Sequence, residues 1–339
     1  MQSVTKFGAY IKPTAENLKT ALAKGFSEVY FAPDPKMTKH TKELGLTYVP
    51  VIWVPETKDP KLGVVDIWGT QKLFAFNNSG CPANPTIQEN AIKQLENAIS
   101  STESNTIILD ALRFPSPYDG KTFFSCFCTH CQKYIKNLGI EPNNLKNSLI
   151  ETLKEIHKYP YISPKGFQAL TSLIYIRQII IEDFIKKIYE TAKSLNVSLW
   201  AAVFPPSLAW LLGQNYTLLS KYVDEFHIML YHKCSGAACL NKEITCLTKT
   251  LQKITQRSLE KVQYAVYRLT GILTSRSLEE LETLGIEPNI IVNEAKNAIH
   301  LLGEKAIPTF WYDPQLHEKF IDQLSEMKPN KIIFFLVSD

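Results

Sequence analysis

TIILDALRFPSPYDGKTFFSCFCTHC, residues 106 to 131, joins three signals in one segment. Thr106–Phe114 opens on a continuous apolar run, as expected of a strand buried on both faces of a parallel sheet. Asp110 and Arg113 stand where that strand should emerge. Cys126, Cys128 and Cys131 then follow with C-x-C-x-x-C spacing. The run asks for a parallel sheet, the polar pair for a site at its carboxyl end, and the cysteines for a metal.

Working outward, short β-rich runs alternate with amphipathic helices, the pattern of a parallel sheet. Strands are expected at Phe7–Lys12, Glu28–Ala32 and Thr47–Val54 before the quoted stretch. Ser198–Phe204, Glu225–His232, Val262–Leu269, Ala306–Trp311 and Lys331–Val337 follow it. Helices are expected at Ala15–Lys24, Asp34–Leu44, Thr86–Ser100, Gln132–Leu138, Phe167–Leu195, Ile244–Gln256, Leu278–Leu284, Pro288–Leu302 and Gln315–Met327. Asp34 and Pro35 form a cap and first-turn pair, and Gly45 stops that helix. Two excursions, about 55–85 and 115–166, are too long for simple connections and are expected to pack over one end of the sheet. No G-x-G-x-x-G follows the first strand and no P-loop is present. The expected fold is α/β, a (β/α)₈ TIM barrel in a single domain spanning 1–339. Nine strand candidates compete for eight places, so either Val262–Leu269 or the last run lies outside the barrel, or one of the nine is not a strand.

The chain has 339 residues, 45% of them hydrophobic, and a formal net charge of +4. That supports a large core and argues against a dedicated nucleic-acid or membrane-surface protein. The N-terminal MQSVTKFGAYIKP has no apolar signal-peptide core, and a cytoplasmic protein is expected. Seven cysteines is an odd number, and the cluster is too tight for ordinary disulfide pairing. Three thiolates at that spacing suit tetrahedral zinc, with Cys81 or His157 as the fourth ligand; His130 is less suited to turn inward. A closed four-ligand site is structural. Cys234, Cys239 and Cys246 match no common metal spacing and are expected as buried free thiols.

The C-x-C-x-x-C after the fourth strand, with the lone Cys81 upstream, resembles the zinc cluster of the family-42 β-galactosidases, which are (β/α)₈ glycoside hydrolases. Residue by residue, that resemblance places Cys81, Cys126, Cys128 and Cys131 as ligands. LDALRFPSP and FHIMLYH also resemble glycoside-hydrolase-like barrels. The catalytic pair of family 42 does not carry over. Its fourth strand ends in Asn-Glu and its seventh carries a Glu, where this chain has Asp110-Ala-Leu-Arg113 and VQYAVYRLTG. The tRNA-guanine transglycosylases are a second, weaker resemblance: barrels with C-x-C-x-x-C and a later His, for which His157 has a suitable spacing. Their cysteines sit late in the barrel, and this chain lacks their basic flank.

Barrel chemistry sits where strands end at the carboxyl face. The polar residues there are Glu56, Asp110, Arg113, Tyr231, His232, Arg268, Tyr312 and Asp313, with Tyr10 and Asp34 as outliers. Glycoside hydrolysis needs two carboxyl groups, so Asp110 with Asp313 or Glu56 is the candidate catalytic set. Trp53 and Trp311 offer flat faces to a sugar ring. Arg113, Tyr231, His232, Arg268 and Tyr312 are candidate substrate contacts. Strict strand alternation sends Arg113 to the side opposite Asp110 unless the strand bends near Phe114-Pro115. The expected partner is a small molecule or oligosaccharide, with no nucleic acid and no membrane. The alternative functions are a non-catalytic saccharide- or ligand-binding barrel and, behind it, a nucleobase transglycosylase.

Overall fold

A computed structural model describes residues 5–336. Eight parallel strands close into a barrel: β1 (Lys6–Tyr10), β2 (Glu28–Phe31), β3 (Thr47–Trp53), β4 (Thr106–Asp110), β5 (Ser198–Val203), β6 (Glu225–Leu230), β7 (Ala306–Trp311) and β8 (Lys331–Phe335). Each strand pairs with the next in sequence, and β8 closes on β1 with Lys6 opposite Lys331. Their burial is nearly complete. That is why they read as apolar runs rather than alternating ones.

The surplus strand candidate, Val262–Leu269, is a helix spanning Leu259–Thr270. Its buried Val262, Ala265, Val266 and Thr270 recur at three-and-four spacing, while Tyr264 and Arg268 face solvent. β-branched and aromatic content suggested a strand, but the period is helical. The last run is therefore β8; its final residue, Val337, lies outside the described residues. Asp34 caps the helix Pro35–Glu43, its carboxylate accepting from the Met37 N–H. The long helix expected at Phe167–Leu195 runs from Pro164 to Ser194. No helix among the described residues is long and apolar enough to cross a membrane.

The barrel interior is polar at its amino end. Lys331 Nζ lies 2.8 Å from Glu28 Oε2 and 2.9 Å from Glu225 Oε2, and stacks 4.1 Å from the Trp200 ring. Above it, Tyr30 Oη donates to Glu28, and Tyr10 Oη bonds Nδ1 of the fully buried His227 at 2.7 Å. Gly8 makes room for this layer. A Cβ there would lie 2.5 Å from the Tyr30 hydroxyl.

Candidate functional site

Strand β4 ends at Asp110, and Ala111 takes a left-handed φ of 61°. The turn breaks strand alternation and brings Asp110 and Arg113 into one cavity of about 310 Å³ at the barrel mouth. The bend falls at Ala111, ahead of the Phe114-Pro115 position considered from sequence. Aromatic rings dominate the walls: Trp53, Phe76, Tyr231, Trp311 and Phe335. Trp311 stacks on Phe335 at 5.2 Å, and Tyr231 meets both edge-on or tilted. The Trp53 indole is fixed by its N–H donating to Ser79 Oγ at 2.8 Å.

Asp110 is the carboxylate in this lining among the described residues. Burial pushes its pKa up, against the Ala111 N–H that bonds Oδ1 at 2.6 Å and the nearby Arg113 charge. Tyr231 and Tyr10 are both raised, first by burial and then by neighbouring charge that includes Asp110. Arg113 is 3% exposed and lies between the Phe74 and Phe204 rings. Its Nη1 donates to the Phe114 carbonyl and lies 3.8 Å from Asp119.

The other sequence-predicted residues divide. Glu56 is exposed and accepts from Gln94 Nε2 at 2.6 Å; it lines an adjoining hollow that shares Trp53 and Phe335 with the mouth. Tyr10 lines that same hollow. Asp313 accepts from the Gln315 N–H and lies 3.4 Å from His232 Nε2, so both carboxylate oxygens are engaged in turn and ion-pair contacts. His232 is 3% exposed, its pKa lowered by burial. Tyr312 accepts from Lys24 Nζ. Neither Asp313, His232 nor Tyr312 is in the mouth lining. Arg268 sits on the corrected helix, over the Tyr264 ring at 4.7 Å, and ends no strand.

Phe76, in the mouth lining, and Glu243, which holds a loop of that lining, were not singled out from sequence. Phe76 reaches the cavity from a turn in which Ala75, Phe76 and Asn77 all have positive φ. Such backbone is costly and recurs at ligand-holding segments. Asp119 holds that turn by accepting from the Ala75 N–H. Glu243 is fully buried and accepts from Ser116 Oγ, the Tyr118 N–H and the Ala238 N–H. Ala238 belongs to the loop after β6, which a Cys234–Cys239 disulfide closes with a Cα separation of 5.3 Å. These two cysteines are thus bridged, contrary to the free thiols expected; Cys246 remains a free, partly buried thiol.

The sulfurs of Cys81, Cys126, Cys128 and Cys131 all lie within 4.8 Å of one another. Cys81 Sγ is 3.4 Å from Cys131 Sγ, 3.5 Å from Cys128 Sγ and 3.6 Å from Cys126 Sγ. A tetrahedron with metal–sulfur bonds of about 2.3 Å has sulfur–sulfur edges of about 3.8 Å, so this set can hold one metal ion. His157 is not in the cluster. The Val65 and Cys128 N–H groups point at Cys126 Sγ, and the Cys128 thiol is strongly acidified by hydrogen bonds from its neighbours. Fully buried Arg177 donates to the Ser125, Phe123 and Leu211 carbonyls, placing a cation beside the thiolates.

Neither a protein-family model nor a curated protein sequence matches the chain. Among solved structures, the PgaB (BpsB) glycoside hydrolase domain from Bordetella bronchiseptica superposes with a TM-score of 0.55 at 12% identity, over 98% of this chain and 94% of that one. A chitinase from Rhizomucor miehei gives 0.44 at 9% identity, over 98% and 95%. A family 2 AP endonuclease from Brucella melitensis gives 0.43 at 7%, over 98% and 92%. The first likeness shows the fold; the other two are too distant to carry an argument. The chain is a (β/α)₈ barrel, the fold it shares with the PgaB domain.

Proposed function

We propose that the mouth binds a saccharide and that Asp110 cleaves it as a general acid. The observation that carries this reading is a single protonation-biased carboxyl group set among aromatic rings at a strand end. Rings of this kind bury the apolar faces of a pyranose, and Asp110 supplies a proton where the glycosidic oxygen would lie. A retaining or inverting pair needs a second carboxylate in reach. With one at the mouth, the substrate must supply the nucleophile, which an acetamido group at C2 does. Asp110 would protonate the leaving oxygen as the C1–O bond breaks and the acetamido oxygen bonds C1. The resulting carboxylate would then take a proton from the water that opens the ring intermediate. Arg113 and Tyr231 would hold Asp110 in place, and Glu56 would contact the substrate across Trp53.

The test uses a β-1,4-linked N-acetylglucosamine hexamer, with binding followed by calorimetry and cleavage by new reducing ends. Asp110→Asn should bind as wild type does and lose about 10²–10⁴-fold in rate. Because the acid form is required, wild-type cleavage should fall as pH rises through the raised Asp110 pKa. Binding by the wild type without cleavage would leave a non-catalytic saccharide-binding barrel. Glu56→Gln distinguishes a two-carboxylate mechanism: it should affect affinity more than turnover, and a loss equal to that of Asp110→Asn would make Glu56 the missing partner.

We infer that the cysteine cluster holds structural zinc. Four sulfurs within 4.8 Å of one another would fill a tetrahedral ion's coordination and leave no position for water or substrate, so the ion would pin the Cys81 segment to the segment after β4.

A further inference from the structure

We propose that the cleft continues past Trp53 into a second saccharide subsite, so that the ligand is a chain of several pyranose units. This rests on the saccharide reading of the mouth. A hollow of about 690 Å³ lies between the ends of β1–β3 and the helix Pro85–Thr102, more than twice the volume of the mouth cavity. Trp53 and Phe335 line both spaces, so a ligand seated on Asp110 has an unbroken aromatic path into the second.

The far wall is helical. Gln94, Asn97, Ala98 and Ser101 recur at i, i+3, i+4 and i+7 and present one face to the hollow. That face carries unspent hydrogen-bonding capacity. Gln94 donates to Glu56, yet its Oε1 is buried without a partner. The exposed Asn97 amide makes no hydrogen bond to protein among the described residues. Amides opposite aromatic walls suit a polyhydroxylated ring.

Charge and topology narrow the ligand class. Glu56 is the charged residue in the lining, so an anionic chain is disfavoured. An extended peptide would seek a free strand edge, and the closed barrel offers none. A neutral glycan remains, one unit over Asp110 and further units over the amide face.

The experiment compares β-1,4-linked N-acetylglucosamine dimer and hexamer by calorimetry. Wild-type protein should bind the hexamer at least about tenfold more tightly. Asn97→Arg, at an exposed helix position, should block the hollow and bring the hexamer-to-dimer affinity ratio close to one. Asn97→Ala should lower the ratio partway, with thermal unfolding confirming that both variants are folded. Equal affinities for dimer and hexamer in the wild type, or an unchanged ratio in both variants, would overturn the second subsite and leave the mouth reading standing. Absence of binding by either oligomer would remove both.

Discussion

Glu243 sits where an acid is least expected, fully buried with three donors aimed at its carboxylate. Burial pushes its pKa from the ordinary 4.5 up to about 7, even against the pull of Arg113 and the Ala238 and Tyr118 N–H groups. The folded protein therefore keeps a proton that the unfolded chain releases. This contribution to stability is full below about pH 4.5 and is lost as pH rises through 7, amounting to about 3 kcal/mol for 2.5 pH units. Glu243→Gln has no proton to hold, so its stability between pH 5 and 7.5 should be flatter than wild type, whatever its baseline. Parallel curves from urea unfolding would exclude this role. In sequence, Glu243 is one acid in an amphipathic helix. The signal that marks it is position: it falls on the apolar stripe with Leu240, Ile244 and Leu247. Asp110 was legible because a carboxylate after Ile-Ile-Leu has nowhere polar to go. Its companion Phe76 was not, since its place depends on a turn of three left-handed residues that composition does not announce.

Two cysteine devices tie down loops, and the second of them lines the barrel mouth. The cysteine cluster brings Cys81 to Cys126, Cys128 and Cys131; the C-x-C-x-x-C spacing made the last three legible as a set, whereas spacing alone left Cys81 and His157 open as the fourth member. Protein purified without added metal should carry about one zinc per chain, and strong chelation should lower Tm by several degrees. Cys81→Ser should do the same, since binding energy for structural zinc is folding energy. Near-zero metal with unchanged unfolding would dismiss the site. The second device, the Cys234–Cys239 bridge, was missed because pairing depends on the two Cα atoms approaching to 5.3 Å across a Ser-Gly-Ala-Ala turn. Its loop packs on Phe76: a Cβ at Gly236 would lie 2.8 Å from that ring. Replacing both cysteines by Ser should cost about 2 kcal/mol through the freed loop. Affinity for the hexamer should weaken as well, because Ser235–Ala238 line the cavity. A double variant matching wild type in both measurements would show the bridge to be idle.

For the whole molecule, the alternation of apolar runs and helices was enough to read the barrel. The error lay in period: Val262–Leu269 has strand composition on a helical repeat. The interior was less legible, because strands buried on both faces hide which side chains point inward. Lys331 points inward, where it pairs with both Glu28 and Glu225. Lys331→Met should leave the buried Glu28 and the partly exposed Glu225 without their shared cation and destabilise the fold by about 3 kcal/mol. Adding Glu225→Gln should recover part of that loss. A urea midpoint unchanged in Lys331→Met would mean the triad contributes nothing.

Gly8 and Tyr30 face each other above that triad on adjacent strands, β1 and β2, with space between them for one side chain only. Neither position can drift alone. In divergent sequences of this barrel, an alanine or larger residue at position 8 should coincide with loss of the phenol at 30, and with it the hydroxyl that bonds Glu28. The pair thus offers a historical trace: where the glycine persists, so should the polar floor.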